Sequence, residues 1–145
     1  NDPPFDNSAM DGFAVKYNET QNPPSNFQIS KTIEAGNKFD NMIKPGEAAR
    51  IMTGAPIPEG ADSIIPIEAC EVDKDNNTVT LNQESKPHFI RKKGENFTEN
   101  EMLLEKGTHL TPEKISLCAA MGHNDIQVFK PLKIGKYFPY SYFLF

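Results

Sequence analysis

Asp6, Asn7, Ser8 and Asp11 crowd two carboxylates, an amide and a hydroxyl into the stretch from Pro4 to Val15, between apolar anchors. Such groups can move a proton, hold a polar substrate or simply brace a loop, so their surroundings decide among these roles. Pro3-Pro4 keeps the approach extended, because each ring fixes φ and disfavours helix in the residue before it. Asp6, Asn7 and Ser8 carry side chains that bond to nearby backbone, which predicts a loop of preset shape. Gly12 permits a turn or the close approach of another group, and Phe13-Ala14-Val15 starts a buried strand. Asp11, between an inward-packing Met10 and Gly12, is held by rigid neighbours and is the first choice for catalytic work. On the local pattern alone, a hydrogen-bonded turn with solvated carboxylates carries more weight. A calcium loop fits poorly, since its template wants an oxygen ligand where Met10 stands and a bidentate Glu further on.

Thr53 is the second catalytic candidate. It ends a predicted strand before Gly54, where its hydroxyl and the backbone N–H groups can meet an oxyanion, although an ordinary strand cap has the same residues. Arg91 opens the run Arg91-Lys92-Lys93, and its planar fork suits a bidentate contact with a phosphate. Lys92 and Lys93 are expected to be solvated. Glu68 has the chemistry of an acid or a magnesium ligand, but a Glu at a strand end is usually just exposed. His88, His109 and His123 show no pairing pattern. Cys70 and Cys118 lack metal-ligand spacing and are read as reduced and partly buried. No set of metal ligands is read in the chain itself.

The 145 residues suffice for a domain with a real core. The start at Asn1, without Met, suggests a piece of something longer. No stretch resembles a secretory signal or approaches the length of a membrane span, so a cytoplasmic location is expected. A formal net charge of −5 argues against non-specific nucleic-acid binding. Any anionic ligand must then be met by a local cluster of cations.

The elements that position these groups are mostly β. Phe27-Gln28-Ile29, extended by Thr32-Ile33, alternates as a half-buried strand does, and 36–41 is turn material. Lys44-Pro45-Gly46-Glu47 turns the chain into a strand over Ala48 to Met52. Ser63 to Glu68 reads as a strand whose Pro66 must lie at an edge or bulge. Asp73 to Asn77 is a hairpin loop with Thr78 to Leu81 returning, and His88 to Arg91 and Ile126 to Phe129 are further short strands. The clear helix is 112–121, with Thr111 as N-cap, Pro112 in its first turn and Gly122 as its stop. Ile115, Cys118, Ala119 and Gly122 share one small apolar face suited to close packing. The fold class is therefore α+β, mostly β, with one clear helix.

Three blocks carry a resemblance. Phe5 to Val15, Arg50-Ile51-Met52-Thr53-Gly54-Ala55-Pro56-Ile57-Pro58-Glu59-Gly60-Ala61-Asp62 and Ile90-Arg91-Lys92-Lys93-Gly94-Glu95-Asn96 resemble, in order, the signatures of the molybdopterin molybdenumtransferases, the family of bacterial MoeA and the gephyrin E domain. Phe13 stands where that family usually has Tyr, and Asn96 where it usually has Asp. The resemblance runs over about 3–135 and stops before the tail 136–145, whose aromatic sequence is expected to be out of frame and without selected function. It implies a β-rich second-domain region over 1–110, a linker or dimerisation region over 111–130, and the truncated start of a next domain over 131–145.

The implied activity of the whole enzyme is insertion of molybdate into adenylylated molybdopterin, releasing AMP, with Mg2+ held mainly by domains beyond this chain. Asp11 would lie in the reacting cleft, and Thr53 is the other catalytic candidate. Arg91, Asn7, Ser8 and Glu68 are the substrate-binding candidates, Asn7 and Ser8 chiefly by fixing the loop. The implied partners are adenylylated molybdopterin, molybdate and a second copy in a homodimer, with no nucleic acid or membrane. The fragment alone is expected to be inactive. A non-catalytic dimerisation or scaffolding module, suggested by the gephyrin branch, is the alternative. A small carbohydrate or peptide binder is weak, because the chain has no Trp.

Overall fold

Phe13, Ala14 and Val15 have no solvent exposure, and an uninterrupted apolar run of this kind requires cover on both faces and both edges. The computed structural model, which describes residues 1–36 and 42–135, supplies it. β2 (Gly12–Val15) lies between β4 (Glu47–Ile51) and β5 (Ser63–Pro66), antiparallel to both. β3 (Ser25–Ile33), β7 (Thr78–Leu81) and β6 (Cys70–Asp73) complete a six-stranded sheet of order β5-β2-β4-β3-β7-β6. Its one parallel pair is β3 with β4, across the connection that contains 37–41.

Alternation along the strands divides the core between the two faces. Ala14, Ile33, Ala49, Ile51 and Ile64 pack on one side with Ile43, Ala55 and Ile90, and Phe13, Val15, Phe27, Ala48, Ile65, Val79 and Leu81 pack on the other. A separate two-stranded ribbon joins β1 (Asn7–Ser8) to β8 (Ile90–Arg91). Gly12 is the tightest point of the sheet, since a Cβ there would stand 2.0 Å from the Ile65 carbonyl oxygen on β5.

The chain divides into two compact units, Asn1–Met102 and a second that begins at Leu103. The first holds every strand named above. The second holds α1 (Pro112–Ala120), with Thr111 at the expected N-terminal position in extended conformation. Its hydroxyl does not cap the helix. It donates to the Glu113 carboxylate, which lowers the Glu113 pKa.

Several expected elements differ. Pro66 does end the edge strand β5, but Ile67 to Ala69 then form a 3-10 turn, because a ring without an N–H cannot extend the ladder. Pro87 to Phe89 form another 3-10 turn, so that strand shortens to Ile90–Arg91. Ile126 to Phe129 is no strand, for no chain among the described residues pairs with it, and Val128 and Phe129 stand 66% and 74% exposed. On the helix face only Cys118 is buried, while Ile115 is half exposed. The aromatic tail 136–145 and the turn residues 37–41 lie outside the described residues.

Candidate functional site

The three sequence blocks converge on the opening segment. The Ser8 N–H donates to the Ala55 carbonyl, the Gly54 N–H to the Ser8 carbonyl and the Ile57 N–H to the Asp6 carbonyl, so the second block runs along one edge of β1. On the other edge Asn7 pairs with Arg91 and Ser8 with Ile90, which brings in the third block. Buried backbone groups need partners, and this short segment finds them only by lying between the other two.

Asp11 and Thr53 form one unit. The Thr53 backbone N–H and its hydroxyl each donate to Asp11 Oδ1 at 2.7 Å. The Asp11 carbonyl accepts from the Ile67 N–H, which fixes the residue from behind. Both residues are exposed, and Asp11 Oδ2 has no hydrogen-bond partner among the described residues. The two Thr53 donors hold the Asp11 carboxyl below the ordinary carboxylate range, with a smaller contribution from the Arg50 charge. Asp11 is therefore a fixed anion with one oxygen committed and one open. The turn after it is already saturated: Thr53 N–H goes to Asp11, Gly54 N–H to Ser8 and Ala55 N–H to Met52.

Asn7 and Ser8 are buried and bond locally. Asn7 Nδ2 donates to the Phe5 carbonyl, while Ser8 Oγ bonds to both the carbonyl and the N–H of Met10. They give the loop its shape, as their residue types predict. Met10 is half-buried. Glu68 is exposed in the 3-10 turn next to Ile67. Burial, followed by the nearby Glu68 carboxylate, pushes the Cys70 thiol up to about 12, which makes it a poor nucleophile.

The cationic run is more engaged than its composition suggests. Lys92 Nζ lies 2.8 Å from Asp6 Oδ2 and the Lys93 N–H donates to Asp6 Oδ1, so Lys92 is exposed as expected but is also held in a surface ion pair. The Lys92 side-chain donor and the Lys93 N–H lower the Asp6 pKa. Arg91 donates to Asn96 Oδ1 at 3.0 Å and has Glu95 at 3.6 Å from its Nε. Asn96 in turn donates to Asp2. Arg91 thus closes a polar network that ties the third block to the chain's start.

Arg50 opens the second block, yet the sequence alone assigns it no role. It stands opposite Phe13 on β2 and beside Thr32 on β3, half-buried in the central strand. A cation in a strand flanked by apolar residues was the signal available for it. Among the described residues no three His, Cys, Asp or Glu side chains gather into a cluster.

The chain is similar to known proteins over most of its length. The family model described as the MoeA N-terminal region (domain I and II) matches residues 1–122. A molybdopterin molybdenumtransferase of Haemophilus influenzae is 39% identical over 136 residues, 93% of this chain and 33% of that protein. One of Bacillus subtilis is 34% identical over 140 residues, 92% of this chain and 33% of its own length. The chain thus spans about a third of the length of these curated relatives. The crystal structure of the molybdopterin biosynthesis moeA protein of Pyrococcus horikoshii OT3 superimposes with a TM-score of 0.75 at 28% identity, covering 83% of this chain and 32% of that one. With its mostly β sheet, its ordered blocks and a match to residues 1–122, the chain belongs to the family of the MoeA N-terminal region.

Proposed function

We propose that this chain is the part of a molybdopterin molybdenumtransferase that presents the Asp11–Thr53 pair to the reacting cleft. The whole enzyme would insert molybdate into adenylylated molybdopterin and release AMP, in the cytoplasm and as a homodimer. The observation that carries this reading is the double donation from Thr53 to a single oxygen of an exposed Asp11. Thr98 donates in the same way to Glu101 three residues on, as a local turn cap does, whereas Thr53 lies 42 residues from Asp11, so here the double donation joins two of the sequence blocks.

The lowered pKa bears on how Asp11 would act. Its low basicity makes it a weak proton acceptor, so it serves better as a permanent negative acceptor for an N–H or O–H of the substrate. Thr53 keeps that oxygen in place without reorganisation during turnover. Among the described residues no three carboxylate, His or Cys side chains gather around a point where magnesium could sit. The proposal leaves its ligands to the rest of the protein and routes no step through it.

The test is single-turnover kinetics of a full-length enzyme carrying Asp11→Asn. The fold should persist while turnover falls by roughly 10² to 10⁴. Normal turnover by a folded variant would remove Asp11 from the chemistry.

The alternative, a dimerisation or scaffolding module, draws on the second unit. There Val128, Phe129, Leu132 and Ile134 are 66%, 74%, 89% and 88% exposed. Sedimentation of the chain over a concentration series tests whether this surface joins two copies.

A further inference from the structure

Asn96 is an amide set between two charged side chains. Its Oδ1 accepts from Arg91 Nη2 at 3.0 Å, and its Nδ2 donates to Asp2 Oδ2. An ionised carboxylate only accepts and a guanidinium only donates, so the amide between them has one orientation that satisfies both. Asp2 is fixed in turn by its backbone: its N–H donates to the Phe97 carbonyl, and its own carbonyl accepts from the Asn96 N–H. Glu95 adds little to this hold on Arg91, because it lies 3.6 Å from Nε in a half-exposed pair. Arg91 Nη1 makes no hydrogen bond among the described residues and stays available to a ligand. Arg50, the chain's other arginine, makes no hydrogen bond or ion pair among the described residues and has nothing of this kind to orient it.

We propose that Asp2 is a positioning residue for Arg91, acting through Asn96. The proposal rests on the reading of the chain as part of the transferase, where Arg91 is a substrate-binding candidate, and it concerns how that cation is aimed rather than what it binds. If residue 2 were Asn, it could donate as well as accept. The Asn96 amide would then have no reason to keep its oxygen toward Arg91, and a turned amide sets N–H against the guanidinium. An aspartate at 96 needs no such direction, since both of its oxygens accept. The Asp2 carboxylate thus does through Asn96 what a carboxylate at 96 would do directly. Moving the acid from position 2 to position 96 should therefore preserve the aim of the planar fork, and with it the direction of the open Nη1 donors.

The experiment compares D2N, D2N/N96D, R91Q and D2N/R91Q in a full-length enzyme, by steady-state kinetics with adenylylated molybdopterin. D2N should raise KM roughly fivefold, as the loss of one oriented hydrogen bond does, with kcat near wild type. D2N/N96D should bring KM back to near wild type. R91Q should raise KM roughly tenfold or more, and D2N should add nothing in that background. In NMR spectra of the isotopically labelled 145-residue chain, D2N should displace the Arg91 Nε–H signal and D2N/N96D should bring it back. A folded D2N with wild-type KM, a double variant D2N/N96D with KM still raised, or a D2N effect that persists beside R91Q would each overturn the proposal. So would an Arg91 signal that D2N leaves in place in the chain alone. The Asp11→Asn test reads turnover, whereas this one reads KM and the Arg91 signal, so the two readings fail separately.

Discussion

At the residue scale, Asp6 and Asp11 are two carboxylates of one loop with different employment. Asp6 ties the loop to the cationic run through Lys92 Nζ and the Lys93 N–H, while Asp11 holds Thr53 and keeps an open oxygen. Asp6→Asn should therefore cost stability, about 1 kcal/mol by analogy with other lost hydrogen bonds and reduced by the solvent that screens so exposed a pair, with little effect on turnover. Thermal melts beside the kinetics of Asp11→Asn separate the two roles. Both carboxyls titrate below their ordinary value of 3.8 in the folded chain. A depressed folded pKa gives stability that is complete above the unfolded value and is lost as pH falls through the folded one. The stability difference between wild type and Asp6→Asn should thus be constant from neutrality to about pH 5 and shrink below about pH 4, as urea melts at stepped pH would show. By the same sign, turnover in the full-length enzyme should show no acid inflection from Asp11 above about pH 4. An inflection near neutrality that vanishes in Asp11→Asn would contradict that.

At the element scale, the site depends on β2 being pressed between β4 and β5. Gly12 sits directly after Asp11, and its hydrogen faces the Ile65 carbonyl, where a methyl group has no room. Gly12→Ala must push β5 outward or tilt β2, and an overpacked core position costs about 1–3 kcal/mol. Because Asp11 reaches Thr53 across the β2–β4 pairing, the same displacement should loosen the bond to Thr53. Urea denaturation measures the first effect, and a shift of the Thr53 amide signal toward that of Asp11→Asn reports the second. A variant as stable as wild type would show that β5 yields freely at this edge.

At the scale of the whole molecule, the strands and both halves of the core belong to Asn1–Met102, and the second unit contributes α1 and an exposed apolar run. A chain ending at Met102 should retain cooperative unfolding and be more soluble than the full 145 residues, because exposed apolar surface promotes association. Loss of cooperativity would mean that the sheet needs the second unit. The 145-residue chain itself, a third of the length of its relatives, should not turn over adenylylated molybdopterin. A product assay on the purified chain checks this.

The sequence alone determined the features governed by neighbours. The buried run at Phe13 to Val15, the Asp73 to Asn77 hairpin, the edge position of Pro66 and the helix after Thr111 all follow from periodicity, turn residues and proline geometry, which act over a few positions. Asp11 and Thr53 were both legible as candidates, but their contact spans 42 residues and required β2 to pair with β4. The pairing of Lys92 with Asp6 spans 86 residues, and no local rule distinguishes the lysine that is paired from the arginine that is left open. Ile126 to Phe129 shows the converse, a sequence with strand character and no partner strand among the described residues. Ladder bonds and ion pairs need two distant segments, so only the tertiary structure decides which polar groups remain available to a ligand.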